Sequence, residues 1–150
     1  MTSGENANRF PLHPVILVDD ESAVLRGYKI VLLGEGVDNL VCCSSAREAL
    51  QTLRTQHASV VVTDLWMPEL SGEKLLEEIR RGYPDIPVIV VTGANEVETA
   101  VRCMKTGAHD YIVKPVDPPR LANSVRKALE HVELQQQVAL LKEHFFDKRL

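Results

Sequence analysis

The chain has 150 residues, of which 45% are hydrophobic, 25% charged and 5% aromatic, with a formal net charge of −4. That length fits one ordinary domain with an appended helix, and that apolar share excludes a wholly disordered chain. No apolar run nears the roughly 20 residues that cross a bilayer, and Met1 to Asn8 lack an apolar signal segment, so a cytoplasmic location without membrane contact is expected.

In chain order, residues 1–13 read as a flexible tail punctuated by Pro11. Pro14 follows, and then Val15-Ile16-Leu17-Val18, a short apolar run suited to a strand buried on both faces, ending in Asp19-Asp20-Glu21. Further runs are Val37 to Cys43, interrupted by Asp38 and Asn39, then Ala58 to Thr63, Ile86 to Val91, and Tyr111 to Val113. Helical spacing lies between them, at Val24, Leu25, Tyr28, Val31 and Leu32, at Ala46, Ala49, Leu50 and Leu53, at Leu75, Leu76 and Ile79, and at Val97, Ala100, Val101 and Met104. Ser22, Ser45, Ser71 and Asn95 precede these stretches as N-caps, and Gly82 and Gly107 follow two of them as stops. Five strand-helix units predict an α/β, flavodoxin-like five-stranded parallel sheet, order 2-1-3-4-5, with helices on both faces.

From Arg120 onward no strong breaker occurs. Leu121, Val125, Ala128 and Val132 form one stripe, which predicts a fifth helix on the sheet. Leu134, Val138, Leu141 and Phe145 form a second, rotated stripe at coiled-coil-like steps, which predicts an extended C-terminal helix over 133–150 that meets a partner helix. The domain proper is then 14–132. Residues 1–119 balance at −6 and residues 120–150 at +2, too little positive charge for direct nucleic acid contact. Cys42, Cys43 and Cys103 lack metal-ligand spacing and read as buried thiols, and the five histidines read as scattered surface or packing residues.

The predicted topology places chemistry at the carboxyl ends of strands one and three, where the strand order switches. Asp19 and Asp20 end strand one and Asp64 ends strand three. Carboxylates brought that close repel, and an all-oxygen site of this kind suits Mg²⁺. Thr92 and Lys114 end strands four and five, adding a hydroxyl donor and an ammonium. Such a cradle suits phosphoryl transfer, in which positioning and charge neutralisation do most of the catalysis. Asp64 is read as the nucleophile, Mg²⁺ as held by Asp20 and Asp64, Asp19 as ordering the metal's water shell, and Lys114 as pairing with a phosphoryl oxygen.

These residues together resemble the receiver domain of bacterial two-component response regulators. The resemblance runs through Val15 to Glu21, Val61 to Pro68 with Trp66 inside it, Ser71-Gly72, Val91-Thr92-Gly93 and Gly107 to Pro115. It implies phosphorylation of Asp64 by a sensor histidine kinase, Mg²⁺ on Asp20, Asp64 and the Trp66 carbonyl, and a cis Lys114-Pro115 bond. It further implies a switch in which Thr92 moves toward phosphorylated Asp64 and Tyr111 rotates inward, reshaping the face made by helix four, strand five and helix five. Glu96 to Lys105, with Lys114 to Asp117, resembles the receivers of NtrC-type activators working with the alternative sigma factor. This narrower likeness implies a homodimer through that face and the C-terminal helix, with downstream ATPase and DNA-binding domains that regulate transcription. No Walker motif occurs in the chain, so it reads either as a receiver fragment of a larger regulator or as a protein ending here. The leading expectation is a phospho-switch rather than an enzyme, its only chemistry being self-phosphorylation and dephosphorylation at Asp64. The alternatives are an aspartyl-nucleophile phosphatase, which usually carries an acid where Trp66 stands, and a degenerate receiver serving only in dimerisation.

Overall fold

The computed structural model describes residues 8–93 and 96–149. Strands β1 (Val15–Val18), β2 (Leu40–Cys43), β3 (Val60–Asp64), β4 (Val88–Thr92) and β5 (Asp110–Val113) alternate with helices α1 (Ser22–Gly34), α2 (Ala46–Thr55), α3 (Gly72–Gly82), α4 (Val97–Thr106) and α5 (Pro118–Arg149). All four strand pairings are parallel and the order is β2-β1-β3-β4-β5.

Side-chain alternation divides the core into two layers. On one face, Val15, Leu17, Val60, Val62, Ile89 and Val91 meet Leu25 and Leu32 of α1 and Leu121, Val125 and Ala128 of α5. On the other, Ile16, Val18, Val61, Val88 and Val90 meet Ala49 and Leu53 of α2, Leu75, Leu76 and Ile79 of α3, and Cys103 of α4. The three central strands are buried on both faces, which explains why they read as unbroken apolar runs. Losing a side chain such as Leu76, fully buried here, costs about 2–5 kcal/mol in such a core.

Two of the expected caps form: Ser45 accepts from the Glu48 N–H and Ser71 from the Lys74 N–H. Ser22 does not cap. It is the first helical residue of α1, and Glu21 holds the cap position without a side-chain cap bond. The Glu21 N–H is taken by the Asp19 carboxylate at 2.9 Å, which fixes this turn one residue earlier. Asn95 lies outside the described residues.

The segment read as a flexible tail is fastened from Phe10 onward. The Phe10 carbonyl accepts the Asp38 and Asn39 N–H groups at 2.9 and 3.0 Å. The Asn39 amide donates to the carbonyls of Pro11 and Leu12, and the Ser59 hydroxyl donates to the His13 carbonyl at 2.6 Å. Asp38 and Asn39 direct their N–H groups to Phe10, and the paired register of β2 begins at Leu40 rather than Val37. Helix α5 is continuous over 32 residues. Its Leu121, Val125 and Ala128 are buried, whereas Leu134, Val138, Leu141 and Phe145 are exposed. Among the described residues no helix is long and apolar enough to cross a membrane.

Candidate functional site

Parallel strands deliver all their carboxyl ends to one rim. Because Val18 pairs with Thr63, the residues that follow, Asp19 and Asp64, reach that rim side by side. α1 and α3 leave β1 and β3 toward opposite layers, which opens the rim between those two strands.

Asp19 is fully buried. One carboxylate oxygen, Oδ1, accepts the Glu21 N–H, while Oδ2 is buried with no hydrogen-bond partner among the described residues. The Lys114 ammonium stands 3.2 Å from Asp64 Oδ2 and 3.8 Å from Asp19 Oδ2. Burial raises the Asp19 carboxyl above its ordinary range; the Glu21 N–H opposes this, the Asp64 charge adds to it, Lys114 opposes it and Asp20 adds to it. Asp20 is exposed, and one carboxylate oxygen from each of Asp19, Asp20 and Glu21 fall within 4.8 Å of one another. Lys114 is itself placed by its main chain, whose N–H donates to the Thr92 carbonyl at 2.7 Å, just before a cis Lys114-Pro115 bond.

Thr92 reaches the rim almost fully buried, but its hydroxyl bonds the Gly93 carbonyl at 3.3 Å and Glu96 Oε2 at 3.4 Å rather than Asp64. Trp66, two residues beyond Asp64, is 68% exposed. Tyr111 lies on the edge strand with its side chain 41% exposed, turned away from the core. Val97, Val101 and Met104 of α4 are also exposed.

Four features of the site region escaped the sequence reading. Gly72 packs so closely that a Cβ there would fall 2.0 Å from the Asp64 carbonyl oxygen, and its N–H donates to the Leu65 carbonyl. The Tyr28 hydroxyl is buried without a hydrogen-bond partner among the described residues; burial, then the charges of Asp19 and Asp64, hold its pKa up. Asp110 receives both Arg120 nitrogens, at 2.7 and 2.9 Å, and the Ser124 hydroxyl at 2.7 Å, which clamps β5 to α5. Burial would raise the Asp110 carboxyl, but these bonds and the Tyr111 N–H outweigh it and hold it low. Finally, four of the five histidines pack in pairs: His13 meets His57 with ring centres 5.2 Å apart, and His109 meets His131 at 5.7 Å. Each pair joins residues remote in sequence, so spacing alone could not disclose it. The three cysteines are free, as expected, with Cys43 and Cys103 buried.

The buried, partnerless oxygen of Asp19 and the close carboxylates of Asp20 and Glu21 fit a small divalent cation, which would relieve the cost of burying that charge.

Residues 15–126 match the response regulator receiver domain. The NtrX-like response regulator of Rickettsia bellii is 35% identical over 136 residues, covering 89% of this chain and 28% of that protein. The transcriptional regulatory protein ZraR of Escherichia coli K12 is 38% identical over 117 residues, covering 78% of this chain and 26% of ZraR. Among solved structures, a response regulator receiver domain protein from Clostridium thermocellum superposes with a TM-score of 0.76 at 34% identity, covering 82% of this chain and 98% of that one. NtrX from Brucella abortus, solved with ADP, gives 0.79 at 31% identity, covering 86% of this chain and 30% of that one. The chain thus spans between a quarter and a third of the length of these curated relatives.

Proposed function

The chain belongs to the response regulator receiver domain family, and from that premise we propose that it is a switch that accepts a phosphoryl group on Asp64 from the phosphohistidine of a sensor kinase. The observation that carries this reading is the meeting of Asp64, Lys114 and the buried, half-satisfied Asp19 within 4 Å of one ammonium.

In the proposed step an Asp64 carboxylate oxygen attacks phosphorus in line with the imidazole nitrogen of the donor. The P–O bond forms, the P–N bond breaks, and the electron pair returns to the imidazole, which takes up a proton. Lys114 neutralises charge on the transferred group and orients the Asp64 carboxylate toward it. Asp19 and Asp20, with Asp64 and the Trp66 carbonyl, would hold Mg²⁺. When bound, that ion supplies charge neutralisation at the phosphoryl oxygens. Gly72 admits the following loop against the main chain of the acceptor residue, fixing where Asp64 points. Thr92 would turn its hydroxyl to the new phosphoryl oxygens, vacating space for Tyr111.

The likeness to ZraR and NtrX supports a role in transcription regulation, exercised through further domains of the kind that make up the rest of those longer proteins. The exposed stripe Leu134, Val138, Leu141 and Phe145 supports self-association through α5 as the mechanical output.

The test is sizing of the protein with Mg²⁺ and beryllofluoride, which mimics an acyl phosphate. A size change in the wild type that is lost in Asp64→Ala supports the switch. Steady turnover of a phosphomonoester would instead favour an aspartyl phosphatase.

A further inference from the structure

We propose that Glu96 is a positioning residue that holds Thr92 in the resting arrangement, its carboxylate competing with the Asp64 phosphoryl group for the single Thr92 hydroxyl proton. The inference rests on the reading of Asp64 as phosphoacceptor and extends it to a residue outside the acid cluster.

Three observations converge. Thr92 is nearly fully buried, and its hydroxyl has two acceptors in reach, the Gly93 carbonyl at 3.3 Å and Glu96 Oε2 at 3.4 Å. Both lie on the segment that follows Thr92, and the described hydrogen bonds of the hydroxyl do not include one to Asp64. Second, Glu96 occupies the N-cap position of α4, yet its side chain makes no cap bond. An acid in that place ordinarily accepts from the free N–H groups of the first turn. Here the carboxylate forgoes them and lies over Gly93, where an added Cβ would stand 3.9 Å from Glu96 Oε1. Third, the main chain of Glu96 is fixed at both ends: its N–H donates to Gly93 at 3.2 Å and its carbonyl accepts from Ala100 at 3.0 Å. The point from which the side chain reaches Thr92 is therefore fixed.

The chemistry gives this arrangement a direction. An anionic acceptor takes a hydroxyl proton more strongly than a neutral carbonyl does. A phosphoryl group on Asp64 offers anionic oxygens to the same proton, so Thr92 must choose between two anions. Glu96 sets how much of the phosphoryl group's attraction is spent on release.

The experiment titrates beryllofluoride into the Mg²⁺-loaded protein by fluorine NMR and measures Thr92 χ1 couplings without beryllofluoride. Glu96→Ala is expected to lower the half-saturating concentration about five-fold, the net scale of one ordinary hydrogen bond, since the contact is long at 3.4 Å. It should also redistribute the Thr92 rotamers of the resting protein. In a Thr92→Ala background the same change should alter half-saturation less than about two-fold, since no hydroxyl remains to hold. An unchanged rotamer distribution in Glu96→Ala overturns the proposal. So does an equal gain in the Thr92→Ala background, which would mean simple charge removal. If the wild type fails to take up beryllofluoride while Glu96→Ala still shifts the rotamers, the phosphoacceptor reading falls and the Thr92 restraint stands.

Discussion

Replacing Asp19 with Asn should make the metal-free protein more stable. Asp19 Oδ2 is buried without a hydrogen bond among the described residues, and Lys114, at 3.8 Å, sits closer to Asp64. An unsatisfied buried acceptor costs about 1–3 kcal/mol, more when charged. Asparagine keeps Oδ1 for the Glu21 N–H and removes the charge. A gain of about 1–2 kcal/mol is expected, or roughly 3–6 °C in melting temperature for a domain of this size. The pH dependence has a fixed sign. Burial raises the folded carboxyl above its unfolded value, so folding takes up a proton as the pH approaches that range. The penalty is full above the raised pKa and fades as pH falls through it, so the gap between variant and wild type should close on acidification. Magnesium should reverse the order at neutral pH. An ion bound by the native state alone adds about 2.7 kcal/mol at a hundred times its dissociation constant, and the Asn variant should lose most of that gain. Thermal melts in chelator and in Mg²⁺, across pH, read all three effects. A variant that melts below the wild type in chelator, or a gap that ignores pH, would refute the reasoning.

Gly72→Ala should disturb the acceptor directly, because its Cβ would meet the Asp64 carbonyl oxygen at 2.0 Å; a stability loss of about 1–3 kcal/mol and weaker beryllofluoride uptake are expected. Ser71→Ala removes the cap of α3 and should cost about 1 kcal/mol in urea unfolding, with little effect on beryllofluoride. Asp110→Asn should cost about 1 kcal/mol or less at neutral pH, since Arg120 is partly exposed. Because the Asp110 carboxyl is held low, the stability it supplies is present above the unfolded pKa of about 3.9 and disappears as pH falls through the folded value, so wild type and variant should converge in acid. Leu134→Asp with Leu141→Asp should leave the melting temperature of dilute protein near the wild-type value, because both side chains are exposed, while abolishing concentration-dependent association in sedimentation. Association that persists would remove α5 as the contact.

What could be read from sequence follows a physical division. The sheet was legible because buried parallel strands must be apolar throughout, and Val60-Val61-Val62 or Val88-Ile89-Val90-Val91 leave little alternative once helices separate them. The meeting of Lys114 with Asp64, 50 residues apart, was legible for the same reason: topology alone brings those strand ends to one rim. Features that depend on individual side-chain reach were not legible. Nothing in the order of residues says that Asn39 will tie down Pro11 and Leu12, or that Asp110 will take Arg120 and Ser124. Ser22 failed as a cap because the helix starts one residue earlier than cap preference suggests: the Glu21 carbonyl accepts the Val24 and Leu25 N–H groups, which makes Ser22 the first helical residue. The histidine pairs were invisible because each joins two separate segments across the fold.

The acidic rim and the long helix are mechanically adjacent although they lie on different elements. Lys114 follows β5 directly, and its N–H hangs from the Thr92 carbonyl at the end of β4. β5 is an edge strand, paired only with β4. Such a strand, like β2 at the opposite edge, is held by a ladder on one side, and its further restraint comes from α5 through Arg120 and Ser124 on Asp110, with Arg120 also bonding the Tyr111 carbonyl at 2.7 Å. A four-residue strand thus has the ammonium beside Asp64 at one end and the clamp of α5 at the other. A change in charge at Asp64 acts on Lys114, and the strand that must accommodate it is the one whose outer face, Tyr111 and Val113, is exposed. The rim can therefore be expensive in stability and still useful, because the charge that burial disfavours at Asp19 is set against an edge strand of the sheet.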